Sequence, residues 1–173
     1  KFSRILVTAI KDIAFYWRSP AGASTLTQML ARNLFLKPEK TLERKIKEAV
    51  LAIQIEKRYT KREIFTLFCN QMNLGHGAYG VEAASRVYFG KAAKDLKLEE
   101  AALIAGILQL PERQSPYVNL KWATRRRNYA LDRMAAEGYI SQADADAAQA
   151  KPIVLAGLPA PGRSIAPYFV EEV

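Results

Sequence analysis

The chain has 173 residues, half of them hydrophobic and a quarter charged. That suits one compact domain, at most two lobes, and excludes global disorder. A net charge of +9 favours an anionic partner (nucleic acid, a phospholipid surface or a phosphorylated substrate), while a single cysteine, Cys69, excludes an internal disulfide.

Along the chain the pattern is helical almost throughout, with no repeat and no sheet. Phe2, Ile5, Leu6, Ala9, Ile10 and Ile13 recur at helical spacing and predict an amphipathic helix. Phe15-Tyr16-Trp17-Arg18 and a Ser-Pro-Ala-Gly turn end it; with Lys1, Arg4 and Lys11, this cluster suits a lipid headgroup layer as well as it suits core packing. A second helix is expected from near Ser24 to about Leu36, ended by Lys37-Pro38-Glu39-Lys40. Thr41 then caps a helix whose apolar stripe is Leu42, Ile46, Ala49, Val50 and Ile53. Thr60 and Glu63 have the spacing of a capping box, which starts a helix running to about Asn70. A glycine-rich loop at 75–80 follows, then helices at 81–88, 98–108, 121–137 and 141–149, with a loop at 111–116. The Pro- and Gly-rich tail at 152–167 reads as a linker or strap, so the expected division is a domain at 1–150 and a strap at 151–173. The longest apolar run, 101–108, is far short of the ~20 residues that span a bilayer.

Several places could carry chemistry. Arg44, Lys45 and Glu48 share one arc of their helix, away from the apolar stripe. Periodicity alone makes this a solvated face with an Arg44–Glu48 pair; the functional reading is two cations that bind phosphate oxygens beside one carboxylate. The run from Gly22 to Gln28, with Ser24, Thr25 and Thr27, puts backbone N–H groups and hydroxyls at a loop-to-helix junction, which is either an N-cap or an anion site. Gly75-x-Gly77-x-x-Gly80 matches a dinucleotide fingerprint in spelling, but a helix rather than a strand precedes it, so a dinucleotide site is rejected. His76, the one histidine, reads as a surface or rim residue. Arg125-Arg126-Arg127 reads as solvated charge, with no nucleic-acid motif around it. No C-x-x-C or paired His/Cys set exists, so no metal site is expected.

Taken in order, GASTLTQMLARNLFL, RKIKE, KREIFTLFCNQMNLGHGAYGVEAASRVYFGK, LEEAALIAGILQLP and RRRNYALDRM resemble the peptidoglycan glycosyltransferase family over nearly the whole chain. The ending APYFVEEV is more similar to the exit toward the linker of a bifunctional class A penicillin-binding protein than to a monofunctional transglycosylase. The resemblance implies a mainly α, lysozyme-like fold with a large lobe and a smaller membrane-facing lobe. It implies polymerisation of lipid II onto a growing glycan chain, with inversion and release of undecaprenyl pyrophosphate. It places the protein on the outer face of the bacterial cytoplasmic membrane, with a transpeptidase domain in the parent chain and no nucleic-acid partner. No cofactor is tightly bound in this reading, although a divalent cation (Mg or Mn) can accompany the pyrophosphate.

By position, Ser24, Thr25, Thr27 and Gln28 correspond to the donor-cleft motif, and Arg32 stands where a phosphate-contacting lysine is usual. Arg44 and Lys45 would face pyrophosphate, with Glu48 as the second catalytic glutamate. Asn70 and the 75–80 loop match a largely structural motif, and Arg125 and Arg126 a basic pair near the cleft. Met29, Thr66 and Asn73 depart from the usual glutamine, glutamate and tyrosine. The family's first motif, a Glu-Asp pair followed by an aromatic and a histidine, is expected ahead of Lys1. The chain therefore reads as an excised piece that lacks the general base, a group usually worth ~100- to 10,000-fold in rate. Three other functions remain open to the residues: a lysozyme-like glycoside hydrolase, a non-catalytic module that binds membranes or polyanions, and a nucleic-acid binder that would use Arg125 to Arg127.

Overall fold

The computed structural model describes residues 25–36 and 41–157. The expected first helix, the aromatic cluster at 15–18, Ser24 and the tail beyond 157 lie outside the described residues. Among the described residues the structure is mainly α, without a strand; one isolated antiparallel bridge joins Asn73 to Tyr79.

Helix α1 is Leu26–Phe35. It begins where Thr25 Oγ1 accepts the Gln28 N–H and Gln28 Oε1 accepts the Thr25 N–H, so two otherwise orphaned donors are satisfied at once. α2 is Leu42–Arg58, with Thr41 Oγ1 accepting the Arg44 N–H at 3.1 Å. α3, Lys61–Gln71, carries the expected Thr60/Glu63 capping box. α4 is Val81–Phe89 and ends on the left-handed Gly90. After a 3₁₀ turn at Ala93–Asp95 come α5, Leu98–Ile107, and α6, Pro111–Gln114. The last is a single helical turn inside the expected loop, started by a proline whose missing N–H costs nothing there. α7 is Leu120–Ala136, and α8, Gln142–Ala150, is capped by Ser141.

The centre of the fold is α5. Its residues from Ala101 to Ile107 are all buried, as a helix that is apolar on every side must be. Ala102 and Ala105 face a core built from Leu30, Phe65, Phe68, Leu131 and Met134. Leu103, Ile104 and Ile107 face a second core with Leu74, Val87 and Tyr88. α5 and α7 cross so closely that a Cβ on Gly106 would lie 2.7 Å from the Arg126 carbonyl oxygen. A methyl group there would force the helices apart.

α2 reverses the expectation from periodicity. Its apolar stripe faces outward, with Leu42, Ile46, Val50 and Ile53 between 49% and 79% exposed. The buried residues are Glu48 and Ala52. Helical spacing separates two faces but does not say which one packs. Here α1 and α3 lie against the Glu48/Ala52 side. The solvated-face reading of Arg44, Lys45 and Glu48 is therefore overturned at Glu48.

A candidate phosphate-facing site and a separate polar cleft

The Glu48 side chain is wholly buried, and its Oε1 accepts a hydrogen bond from Lys45 Nζ at 2.7 Å. Lys45 itself remains 43% exposed. The i,i+3 spacing on α2 aims the ammonium from the solvent edge back onto the carboxylate. The pair places one ionised group in the interior and its partner at the surface, where it can still meet an anion. Arg44, one residue away, is half-buried and its Nε has no hydrogen-bond partner among the described residues. The ion pair thus runs from Lys45, where the sequence suggested Arg44.

The α1 residues divide between two faces. Thr25 and Gln28 are occupied with the cap. Thr27 is buried and its Oγ1 donates to Glu56 Oε1 at 2.7 Å, tying α1 to the same side of α2 that carries Glu48 and Ala52. Glu56 has no signal in the sequence beyond its place two helical turns after Glu48. Arg32 is brought to neither; it lines an open cleft of about 330 Å³ together with Gln71, Asn73, Tyr79, Leu108 and Gln109.

Asn70 sits under the glycine loop. A Cβ on Gly80 would meet the Asn70 carbonyl oxygen at 2.6 Å, and Gly80 has a φ of +83° that glycine alone adopts cheaply. The glycines thus build a turn, as the rejection of a dinucleotide site implied: Gly80 N–H donates to Met72 O and Leu74 N–H to Ala78 O. His76 is more engaged than a rim residue. Its Nε2 lies 2.6 Å from Ser115 Oγ, and its ring stands edge-on to Tyr117 and Tyr88. Burial pushes the Tyr88 hydroxyl up to about 12, and this hydroxyl donates to Leu74 O at 2.7 Å. The same cause raises the Cys69 thiol to about 12, so it is an inert packing group.

The basic run on α7 separates into three environments. Arg125 is exposed beside Asn119, Lys121 and Trp122 in a shallow hollow. Arg126 is half-buried; its Nε donates to Gly106 O at 2.8 Å and its guanidinium lies 5.4 Å from the Tyr129 ring centroid. Arg127 is buried and donates to Gln149 O and Lys151 O, both at 2.7 Å. Burial lowers the pKa of both Arg126 and Arg127. Solvated charge therefore describes Arg125 alone. Arg127 closes the end of α8, and Ala156 N–H donates to Tyr88 O, so the start of the tail is held on the body.

This mainly α arrangement is that of a transglycosylase. The family model described as Transglycosylase matches residues 1–135, and the chain belongs to that family. It is 52% identical over 134 residues to penicillin-binding protein 1A of Aquifex aeolicus, covering 78% of this chain and 18% of that protein. It is 48% identical over 160 residues to penicillin-binding protein 1A of Escherichia coli, covering 92% of this chain and 19% of that protein. Penicillin-binding protein 2D of Bacillus subtilis is 42% identical over 172 residues, which is 99% of this chain and 25% of that protein. The crystal structure of penicillin-binding protein 1A from Haemophilus influenzae matches with a TM-score of 0.51 and 32% identity over 78% of this chain and 16% of that one. The chain thus spans about a fifth of the length of these relatives. The fold class is that of the resemblance, mainly α and lysozyme-like.

Proposed function

We propose that this chain is the glycan-polymerising part of a class A penicillin-binding protein. It joins lipid II to a growing glycan chain on the outer face of the cytoplasmic membrane. The observation that carries this reading is the buried Glu48 paired with Lys45 on α2, in a member of the transglycosylase family. In the reaction the acceptor hydroxyl attacks the donor sugar's anomeric carbon with inversion, and undecaprenyl pyrophosphate departs. The developing charge on the pyrophosphate needs fixed cations, and preorganised ones are the larger part of such catalysis. Lys45 and Arg44 supply them. Glu48, with no exposed surface, acts through Lys45: it holds the ammonium aimed, and is a positioning residue rather than one that touches the sugar. Thr25, Thr27 and Gln28 shape the donor side next to them, with Arg32 further along α1, and the resemblance assigns Ser24 to the same motif. Asn70 supports the loop from below. Arg125 is open to the lipid phosphates, while Arg126 is committed to the Gly106 carbonyl.

The proton-accepting glutamate belongs, by the resemblance, to the family's first motif. Among the described residues no group of three or more His, Cys, Asp or Glu side chains gathers to hold a metal. In the resemblance a divalent cation would accompany the pyrophosphate, and no step is routed through one. No helix among the described residues is long and apolar enough to cross a membrane. The test is Glu48→Gln in a chain extended upstream of Lys1. Polymerisation of lipid II should fall about 100- to 1,000-fold with the helical fold retained. A rate within a few-fold of the parent would end the proposal for Glu48.

A further inference from the structure

Thr27 uses its hydroxyl differently from the other described helical threonines. Thr66 Oγ1 and Thr124 Oγ1 donate to carbonyls four residues back in their own helices, Arg62 O at 2.9 Å and Leu120 O at 2.8 Å. Thr27 is the second residue of α1, so no carbonyl of its own helix lies that far behind it. Its hydroxyl crosses instead to Glu56 Oε1, 29 residues away in sequence, at 2.7 Å. We infer that Glu56 is a positioning residue for polymerisation: through Thr27 it fixes the donor-side turn of α1 against α2, the helix that carries the cations.

Three observations carry the assignment. First, the bond has the chemistry to set a register. A hydroxyl bound to a carboxylate makes a short, charge-assisted and directional contact. Apart from Thr27 and Glu48, the buried side chains of α1 and α2 are Met29, Leu30, Ala31 and Ala52. Apolar packing of that kind drives contact but has no direction of its own, so it tolerates a small slide or roll. Second, Glu56 stands in line with the site. Glu48, Ala52 and Glu56 recur at i, i+4 and i+8 along one side of α2, which puts Glu56 about 12 Å along the helix from Glu48. A shift of α1 at this end of the row is a shift relative to Lys45 at the other. Third, the turn that is held is the functional one. Thr25 is exposed and Gln28 half-buried on either side of the buried Thr27. Their capping box closes the turn on itself and does not attach it to α2. Glu56 supplies the attachment.

The inference rests on the proposed polymerisation of lipid II. In that reaction one substrate spans the two helices, its sugar on the donor side and its pyrophosphate at Arg44 and Lys45. A misplacement of about 1 Å between such groups costs up to about 100-fold in rate. The carboxylate of Glu56 thus serves catalysis from a distance, as a fixed post against which α1 is set.

The test is a double-variant cycle in the chain extended upstream of Lys1, with initial rates of polymerisation taken per folded molecule and the folded fraction measured by urea unfolding. Glu56→Ala should lower kcat about tenfold and move KM for lipid II less than about twofold. Thr27→Val, which keeps nearly the same shape without the hydroxyl, should do the same. The two changes together should be no slower than either alone, because they break one bond. Glu56→Gln keeps an acceptor oxygen for Thr27 and should bring kcat back to within about threefold of the parent. A bond that merely stabilised the fold would lower the folded fraction and leave kcat and KM per folded molecule where they were; that result would overturn the inference. So would losses that multiply in the double variant, which would mean that Thr27 meets the donor itself. Glu56→Gln as slow as Glu56→Ala would overturn it too, since charge rather than the bond would then matter. The two readings fail separately. A parent chain that makes no polymer removes both. An active parent that depends on Glu48, but whose Glu56→Ala variant keeps its kcat, removes this inference alone.

Discussion

Helices α2 and α7 have the same length, 17 residues, and both carry a cluster of basic side chains, yet they bury charge in opposite ways. In α7 the buried charge is Arg127, whose guanidinium donates to Gln149 O, Lys151 O and Asn128 Oδ1. Around it burial follows the apolar residues Ala123, Ala130, Leu131 and Met134. In α2 the apolar residues are outside and the buried charge is a carboxylate paired with a half-exposed lysine. A buried charge whose donors end on backbone carbonyls of a helix end and on a neighbouring amide oxygen is a structural device, because it satisfies carbonyls that the helix leaves unpaired. A buried charge whose partner stands at the solvent edge keeps a cation available for a ligand. The second arrangement is less favourable for folding and more useful for chemistry.

The largest effect that could break this contrast is on rate. Lys45→Met should lower lipid II polymerisation by about 100-fold in a chain extended upstream of Lys1, because it removes a preorganised cation from the leaving group. Arg126→Met should lower it by less than about tenfold, since that guanidinium is already spent on Gly106 O and the Tyr129 face. Comparing initial rates of the two variants decides it. If Arg126 proves the more sensitive, the functional cations are on α7 and the assignment to α2 fails.

Stability should rank the two helices the other way. Leu131→Ala, at a fully buried position of α7, is expected to cost about 3 kcal/mol through lost transfer energy and a cavity. Ile46→Ser, on the exposed stripe of α2, should stay within about 0.5 kcal/mol. Urea unfolding followed by circular dichroism would measure both, and a multi-kcal/mol loss at Ile46 would mean that the stripe is covered. Between these lies Arg127→Met. It keeps the volume but strips two charge-assisted bonds from the end of α8, for about 2 kcal/mol in the same assay.

What the sequence made legible follows from how far each signal reaches. The starts of α2 and α3 were readable at Thr41 and Thr60, because a cap is closed within three residues, and those of α1 and α8 to within about two residues, near Ser24 and at Ser141. The order of the motifs made the family readable. The inward face of α2 was not, since the α1 and α3 surfaces that choose it lie elsewhere in the chain. The roles of Arg126 and Arg127 were hidden for the same reason. Consecutive residues fan out around a helix, and their partners Gly106 O, Gln149 O and Lys151 O are about twenty residues away in sequence. Tyr79, Gln71 and Gln109 converge only after the loop folds back at Gly80 onto Asn70, which no spacing announces.

The smallest test uses a change that is locally equal in the two helices. Thr41 Oγ1 accepts the Arg44 N–H at the start of α2, and Asn119 Oδ1 accepts the Trp122 N–H at the start of α7. Replacing either by alanine removes one cap, at about 1 kcal/mol each. In α7 the loss should end there, with polymerisation per folded molecule unchanged. In α2 the capped turn carries Arg44 and leads directly into Lys45, so fraying it loosens the cations themselves. Thr41→Ala should therefore lower kcat a few-fold beyond its effect on stability, with KM moving less, because positioning of the leaving group matters most in the transition state. Equal kcat in the two cap variants, at equal stability loss, would show that the first turn of α2 is no more than the end of a helix.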